Sequence, residues 1–211
     1  MMPLIVGITG ASGVLYAVRM VQMLTESGIS IALVISEAAR LVFKEELGIS
    51  LKSYTREEDL IPVFGEKSRG LLTAYSAKDF SAPIASGSYP TRGMVIIPCS
   101  MGTLGALAAG MSQNLIHRAA DCVIKEGRRL VLVPRETPLS AIHLENMLKL
   151  ARLGVRVVPA MPGFYSGIQS VQDLVDFMVG KVLDQLDISH TLYPRWTGPI
   201  HKTEGTLAHG E

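Results

Sequence analysis

The chain has 211 residues, 48% hydrophobic and 18% charged, with a formal net charge of +1, which excludes a disordered or fibrous chain and points to one α/β-sized domain. Twenty Lys and Arg against nineteen Asp and Glu leave no cationic surplus, so a general nucleic-acid binder and a polybasic membrane anchor are both disfavoured. Low charge with a mean hydropathy of +0.31 implies surface buried between subunits, and a homo-oligomer is expected.

In chain order, five apolar, β-branched runs read as strands covered on both faces: Leu4 to Ile8, Ile29 to Ile35, Met94 to Ile97, Leu130 to Val133 and Val155 to Val158. Between and after them, residues 14–26, 37–47, 103–126 (in one or two pieces), 139–152 and 170–186 carry apolar residues at helical spacing. Alternation of strand and helix predicts a single-domain α/β fold over residues 1–186: an open, mostly parallel, doubly wound sheet of Rossmann-like or flavodoxin-like kind, with helices on both faces. Residues 48–92 interrupt the repeat with polar, Pro, Gly and Ser clusters and are expected to form an excursion or lid over the sheet edge. Residues 187–211, with Trp196 between Pro194 and Pro199, read as a C-terminal arm that docks on a neighbour.

No apolar run approaches the ~20 residues of a bilayer-spanning helix. The N-terminus enters a strand-like run without a basic region, so a cytoplasmic protein is expected. Cys99 and Cys122 form no C-x-x-C and read as two buried thiols, and the five histidines show no metal-ligand spacing.

A parallel sheet binds ligands in the crevice outside the carboxyl ends of its strands. The exits read Thr9-Gly10-Ala11-Ser12-Gly13, Ser36-Glu37, Pro98-Cys99-Ser100-Met101-Gly102-Thr103, Pro134-Arg135-Glu136-Thr137 and Pro159 to Tyr165. The first lies between a strand and a helix, where unpaired N–H groups favour a phosphate; the alternative is a glycine turn with Ser12 as N-cap. It is not G-x-G-x-x-G, and Ser36 stands where a dinucleotide fold places an acid, which weakens an NAD reading. Arg118 and Lys125, seven residues apart, share one helical face that can hold a second phosphate, or be a solvated face with Asp121 as local partner. Adjacent Arg135 and Glu136 mark the rim as a site, or as an internal ion pair.

The motifs GITGASG, SEAARLV, ASGS (Ala85 to Ser88), PCSMGTL, NLIHRAADCVIKE, LVLVPRETPLSAIHLENML, PAMPGFY and LYPRW occur in one order along nearly the whole chain. In this the chain resembles the UbiX-type flavin prenyltransferases, a branch of the flavin-containing cysteine decarboxylase superfamily. The resemblance implies reduced FMN bound by Gly10, Ala11, Ser12, Ser36, Ser100, Met101, Gly102, Thr103 and Arg135. It implies dimethylallyl phosphate held by Ser88, Arg118, Lys125, Glu136, Tyr165 and Lys181, some of them from another subunit.

The implied reaction joins the prenyl C1 to flavin N5, closes a ring onto C6 and releases phosphate without a metal. Glu136 and Lys125 act at the phosphate, and Ser12 and Glu46 relay the departing proton. A dodecamer built from trimers and a UbiD-type decarboxylase as recipient of the prenylated FMN are implied as well. Lys181 stands where many relatives have arginine, and Phe80 where some have tryptophan. Two other readings are an FMN-dependent decarboxylase of a cysteinyl substrate, disfavoured because APIASGSYPT replaces that branch's PASANT-like segment, and a non-catalytic flavin chaperone, for which the phosphate cluster is superfluous.

Overall fold

The computed structural model describes residues 2–52, 56–164 and 168–195. Its centre is a sheet of six parallel strands: β1 Leu4–Ile8, β2 Ile31–Ile35, β3 Leu72–Ser76, β4 Met94–Cys99, β5 Leu130–Pro134 and β6 Arg156–Val157, in the order β3-β2-β1-β4-β5-β6. Every residue of β1, β2, β4 and β5 is buried, as continuous apolar runs demand when both faces are covered. Register is set by pairs such as Val6 with Leu33 on one side of β1 and Val6 with Val95 on the other. The ladder shifts between Ile96 and Cys99 as β4 reaches the rim.

Seven α-helices lie among the described residues: α1 Val14–Glu26, α2 Glu37–Leu47, α3 Glu57–Phe64, α4 Met101–Ala108, α5 Leu115–Lys125, α6 Ala141–Arg152 and α7 Val171–Gln185. Strand residues alternate between two cores. Leu4, Val6, Ile8, Leu33 and Val95 pack with α1, α2, α3 and α7, whereas Ile5, Val34, Ile96 and Leu132 pack with α4, α5 and α6. Each such side chain fully withdrawn from water contributes about 1.5–3 kcal/mol, which fixes both helical layers on the sheet. The chain order reverses direction between β1 and β4, so the crevice expected of an open α/β sheet opens beside their carboxyl ends.

The segment 48–92 differs from the expected excursion. It supplies α3 and the edge strand β3, which pairs in parallel with β2 from Ile31 with Leu72 to Ile35 with Ser76. Only the portion after β3 leaves the sheet and runs through a short 3-10 turn at Pro83–Ala85 to β4. The described part of the arm folds back on its own helix, with Ile188 and Leu192 packed against the α1/α7 core. Trp196 and the rest of the arm lie outside the described residues. Cys99 and Cys122 are free and buried, and burial pushes the Cys99 thiol up to about 12. The sparsely covered helix is α6, where only Leu150 is buried while Ile142, Leu144 and Leu148 are exposed by half or more.

Candidate functional site

Thr9, at the end of β1, ties the two loops flanking the crevice together. Its Oγ1 donates to the Pro98 carbonyl at 2.8 Å and accepts from the Ser100 N–H at 2.7 Å. Gly10 follows, and its lack of a Cβ is required, because one built there would fall 2.4 Å from the Ala38 Cβ at the start of α2. The first loop is thus pressed against the N-terminus of α2. Ser36 caps that helix, accepting from Ala39 N at 3.1 Å, and Ser100 caps α4, accepting from Thr103 N at 3.2 Å and donating to Thr103 Oγ1 at 3.1 Å. Met101, Gly102 and Thr103 therefore form the first turn of α4 rather than a loop.

The start of α1 differs from expectation. Its N-cap is Gly13, with a left-handed backbone and no side-chain cap, and Ser12 is exposed with no hydrogen-bond partner among the described residues. The cap comes from Glu46 at the end of α2. Its carboxylate accepts from Gly13 N and Val14 N, each at 3.0 Å. The protein's own anion sits where the sequence suggested a phosphate, drawn there by the helix dipole. At the same rim α2 and α4 are capped by the hydroxyls of Ser36 and Ser100 rather than by a carboxylate.

Across the crevice, the Arg135 backbone N–H donates to Cys99 O at 3.3 Å, while its side-chain Nε is buried without a hydrogen-bond partner among the described residues. The Arg135–Glu136 ion pair that stood as the alternative to a site is absent among the described residues. Glu136 instead accepts from the Thr137 N–H at 3.0 Å. Half-buried Tyr16 feels both ends of this rim, since burial raises its pKa while Arg135 lowers it and Glu46 raises it. A buried guanidinium N–H without an acceptor is costly, which marks Arg135 Nε as a candidate point of ligand contact. A Cβ added at Gly102 meets nothing within 4 Å, so the chain itself gives no steric reason for glycine there. Both observations fit a flat ligand lying between the Gly10–Ser12 loop, the first turn of α4 and Arg135.

The second cluster lies on the α4/α5/α6 side. The segment 85–89 is strapped to α5 through its carbonyls: Arg118 Nε donates to Ala85 O at 2.9 Å, Cys122 Sγ to the same oxygen at 3.3 Å, and Arg128 to Gly87 O and Tyr89 O at 2.6 and 2.8 Å. Arg118 also pairs with Asp121 at 2.9 Å, the local partner anticipated as the alternative to a phosphate. Lys125 bonds Glu126 at 2.5 Å, and its Nζ lies 2.5 Å from where a Gly87 Cβ would be, which puts the ammonium beside the Ser86–Ser88 pair joined at 2.9 Å. Ser88, Arg118 and Lys125 thus come together. Lys181 does not join them, because α7 packs with α1 on the opposite face of the sheet. A site using Lys181 with Lys125 needs more than one protomer. Tyr165 lies outside the described residues.

Reading the sequence placed Thr9 at a strand exit without giving it a role, and missed Tyr16 as part of this rim. A hydroxyl ending the fully apolar run of β1 was the available signal for Thr9, since such a group is buried only when bonded. Among the described residues there is no cluster of three or more His, Cys, Asp or Glu able to hold a metal, and no helix long and apolar enough to cross a membrane.

A profile of the Flavoprotein family matches residues 1–183. The chain is 54% identical over 191 residues to flavin prenyltransferase UbiX of Halalkalibacterium halodurans, covering 90% of this chain and 91% of that protein. It is similar to a crystal structure described as a dodecameric FMN-dependent UbiX-like decarboxylase from Escherichia coli, with a TM-score of 0.83 and 44% identity over 93% of this chain and all of that one. AnUbiX, solved in complex with FMN and dimethylallyl pyrophosphate, superposes with a TM-score of 0.82 at 36% identity, covering 93% of this chain and 98% of that one.

Proposed function

The chain belongs to the UbiX-type flavin prenyltransferases within the Flavoprotein family, which makes it a transferase, and on that premise we propose that it moves a dimethylallyl group from dimethylallyl phosphate to N5 and C6 of reduced FMN. The observation that carries this reading is the pairing of a strand-exit rim, where Gly10, Gly102 and an Arg135 Nε without a hydrogen-bond partner among the described residues lie, with a separate cationic cluster at Arg118 and Lys125.

Reduced FMN supplies an electron-rich ring as prenyl acceptor. Ser36, Ser100 and Thr103 at two helix starts, with Gly10, Ala11, Ser12, Met101, Gly102 and Arg135, hold it. The donor's phosphate is held by Ser88, Arg118, Lys125, Glu136 and Tyr165, with Lys181 brought in by a neighbouring protomer. As the prenyl C–O bond breaks, charge builds on the departing phosphate, and a preorganised set of cations stabilises it without a metal. Arg118 is oriented for this beforehand, fixed by Ala85 O and Asp121. Bond formation at N5 would replace the N5–H bond, and ring closure onto C6 would replace the C6–H bond while the allyl double bond takes up a proton, so one proton leaves overall. In this reading Glu46, which accepts from the N–H of Gly13 next to Ser12, takes it by way of the Ser12 hydroxyl. Glu136 manages the proton at the phosphate.

The exposed Ile142, Leu144 and Leu148 support a homo-oligomer, and we read it as a dodecamer working in the cytoplasm and passing prenylated FMN to a UbiD-type decarboxylase. The test is to mix protein, chemically reduced FMN and dimethylallyl phosphate without air and weigh the extracted flavin. A gain of one dimethylallyl unit is expected; bound flavin of unchanged mass refutes the transfer.

A further inference from the structure

Lys181 on α7 lies between two aromatic rings. Its Nζ lies 5.4 Å from the centre of the Phe177 ring and 5.1 Å from that of Tyr193. Both distances are within the range at which a ring face attracts an ammonium. No carboxylate pairs with it among the described residues, so its charge is left for an outside anion.

Tyr193 is itself fixed. Its hydroxyl donates to Asp184 Oδ2 at 2.6 Å, and Arg195 grips the same carboxylate at 2.6 and 2.7 Å while lying 5.1 Å from the Tyr193 ring. His190, with a side chain wholly withdrawn from solvent, contacts Asp184 at 3.1 Å. The tyrosine ring can reach α7 only because residue 180 is glycine: a Cβ there would fall 2.5 Å from Tyr193 Cε1.

We propose that Tyr193, anchored by Asp184, is a positioning residue that fixes the Lys181 ammonium as an anion-binding group. The inference rests on the reading that Lys181 holds the donor's phosphate. A guanidinium meets phosphate with a rigid fork, whereas lysine offers a point charge on a flexible stem. The two rings restrict that stem, and so replace in part the orientation that a forked group carries within itself.

Initial rates with FMN-loaded protein and dimethylallyl phosphate, with calorimetric titration of inorganic phosphate into the same protein, test this. Tyr193→Leu is expected to raise KM for the donor roughly fivefold, the loss of one cation–π contact, with a much smaller change in kcat and matching weakening of phosphate. Tyr193→Phe, which keeps the ring but removes its bond to Asp184, gives a smaller rise in the same direction. In a Lys181→Met background Tyr193→Leu is expected to add nothing, whereas a tyrosine that merely supports the fold weakens binding in both backgrounds.

An unchanged KM in Tyr193→Leu, or an undiminished effect in the Lys181→Met background, overturns the proposal. Should Tyr193→Leu fail to fold, Tyr193→Phe decides, and unchanged KM and phosphate affinity there overturn it. Wild-type protein that binds phosphate through Lys181 but forms no prenylated flavin refutes the transferase reading and leaves the positioning role standing.

Discussion

Gly102→Ala separates what the fold needs from what a ligand needs. Gly102 lies in the first turn of α4, it is exposed, and a Cβ there meets nothing within 4 Å. Alanine in a helix is favoured over glycine by about 0.5–1 kcal/mol, and for a chain of this length that corresponds to a rise in Tm of roughly 1–4 °C. If the open space beyond Gly102 receives the flavin, the same methyl group intrudes on it, and overpacking of a fitted contact costs about 1–3 kcal/mol. FMN binding then weakens roughly five- to a hundredfold. Thermal melts without FMN and titration by quenching of flavin fluorescence measure the two effects on one preparation. The expected result has opposite signs, with stability up and affinity down. A higher Tm with unchanged FMN affinity refutes the placement of the ligand against α4, and a lower Tm refutes the reading that glycine there serves no purpose of the chain.

Three further outcomes follow from contacts described above. Thr9→Val removes the hydroxyl between Pro98 O and Ser100 N and leaves a buried N–H unpaired, which should cost about 1–3 kcal/mol in urea unfolding; an unchanged midpoint sinks that account. Glu136→Gln is expected to keep FMN but slow turnover at least tenfold, and wild-type turnover removes Glu136 from proton transfer. Hydrogen bonds from Arg195, then Tyr193 and His190, hold the Asp184 carboxylate well below its ordinary value of 3.8. A carboxylate depressed on folding contributes stability above that ordinary value and loses it as pH falls towards the folded one. The Tm deficit of Asp184→Asn should therefore be full at pH 7 and shrink once the pH drops below 3.8. A deficit that does not vary with pH contradicts this sign.

The central strands were legible because burial on both faces leaves an unmixed apolar signature. Leu4 to Ile8 and Leu130 to Val133 lie in β1 and β5 as read. The edge strand β3 escaped for the complementary reason: in Leu72–Ser76 only Leu72 is buried, so Thr73 and Tyr75 gave it the look of a loop. Short α3 carries Pro62 and was hidden by it. For the site, composition at the strand exits pointed to the rim where the Ser100 N–H bonds the Thr9 hydroxyl and the Arg135 Nε has no hydrogen-bond partner among the described residues. It did not reveal that Glu46, thirty-three residues along the chain from Gly13, caps α1, because that contact depends on how α2 lies beside α1. Helical spacing likewise placed Arg118 and Lys125 on one stripe of α5, but spacing within α7 carries no information on which face of the sheet receives that helix.

The strap over α5 has a consequence for how residues 85–89 tolerate substitution. Arg118, Cys122 and Arg128 grip residues 85–89 by main-chain oxygens, and every amino acid brings that oxygen whatever its side chain. Apart from Gly87, where a Cβ would fall 2.4 Å from Glu126 Oε1, the fastening does not depend on side chains, and exposed Ser86 and Ser88 can be exchanged without undoing it. If the donor binds beside Lys125 as proposed, a library at those two positions explores new leaving groups or longer allylic chains on a backbone that keeps its course.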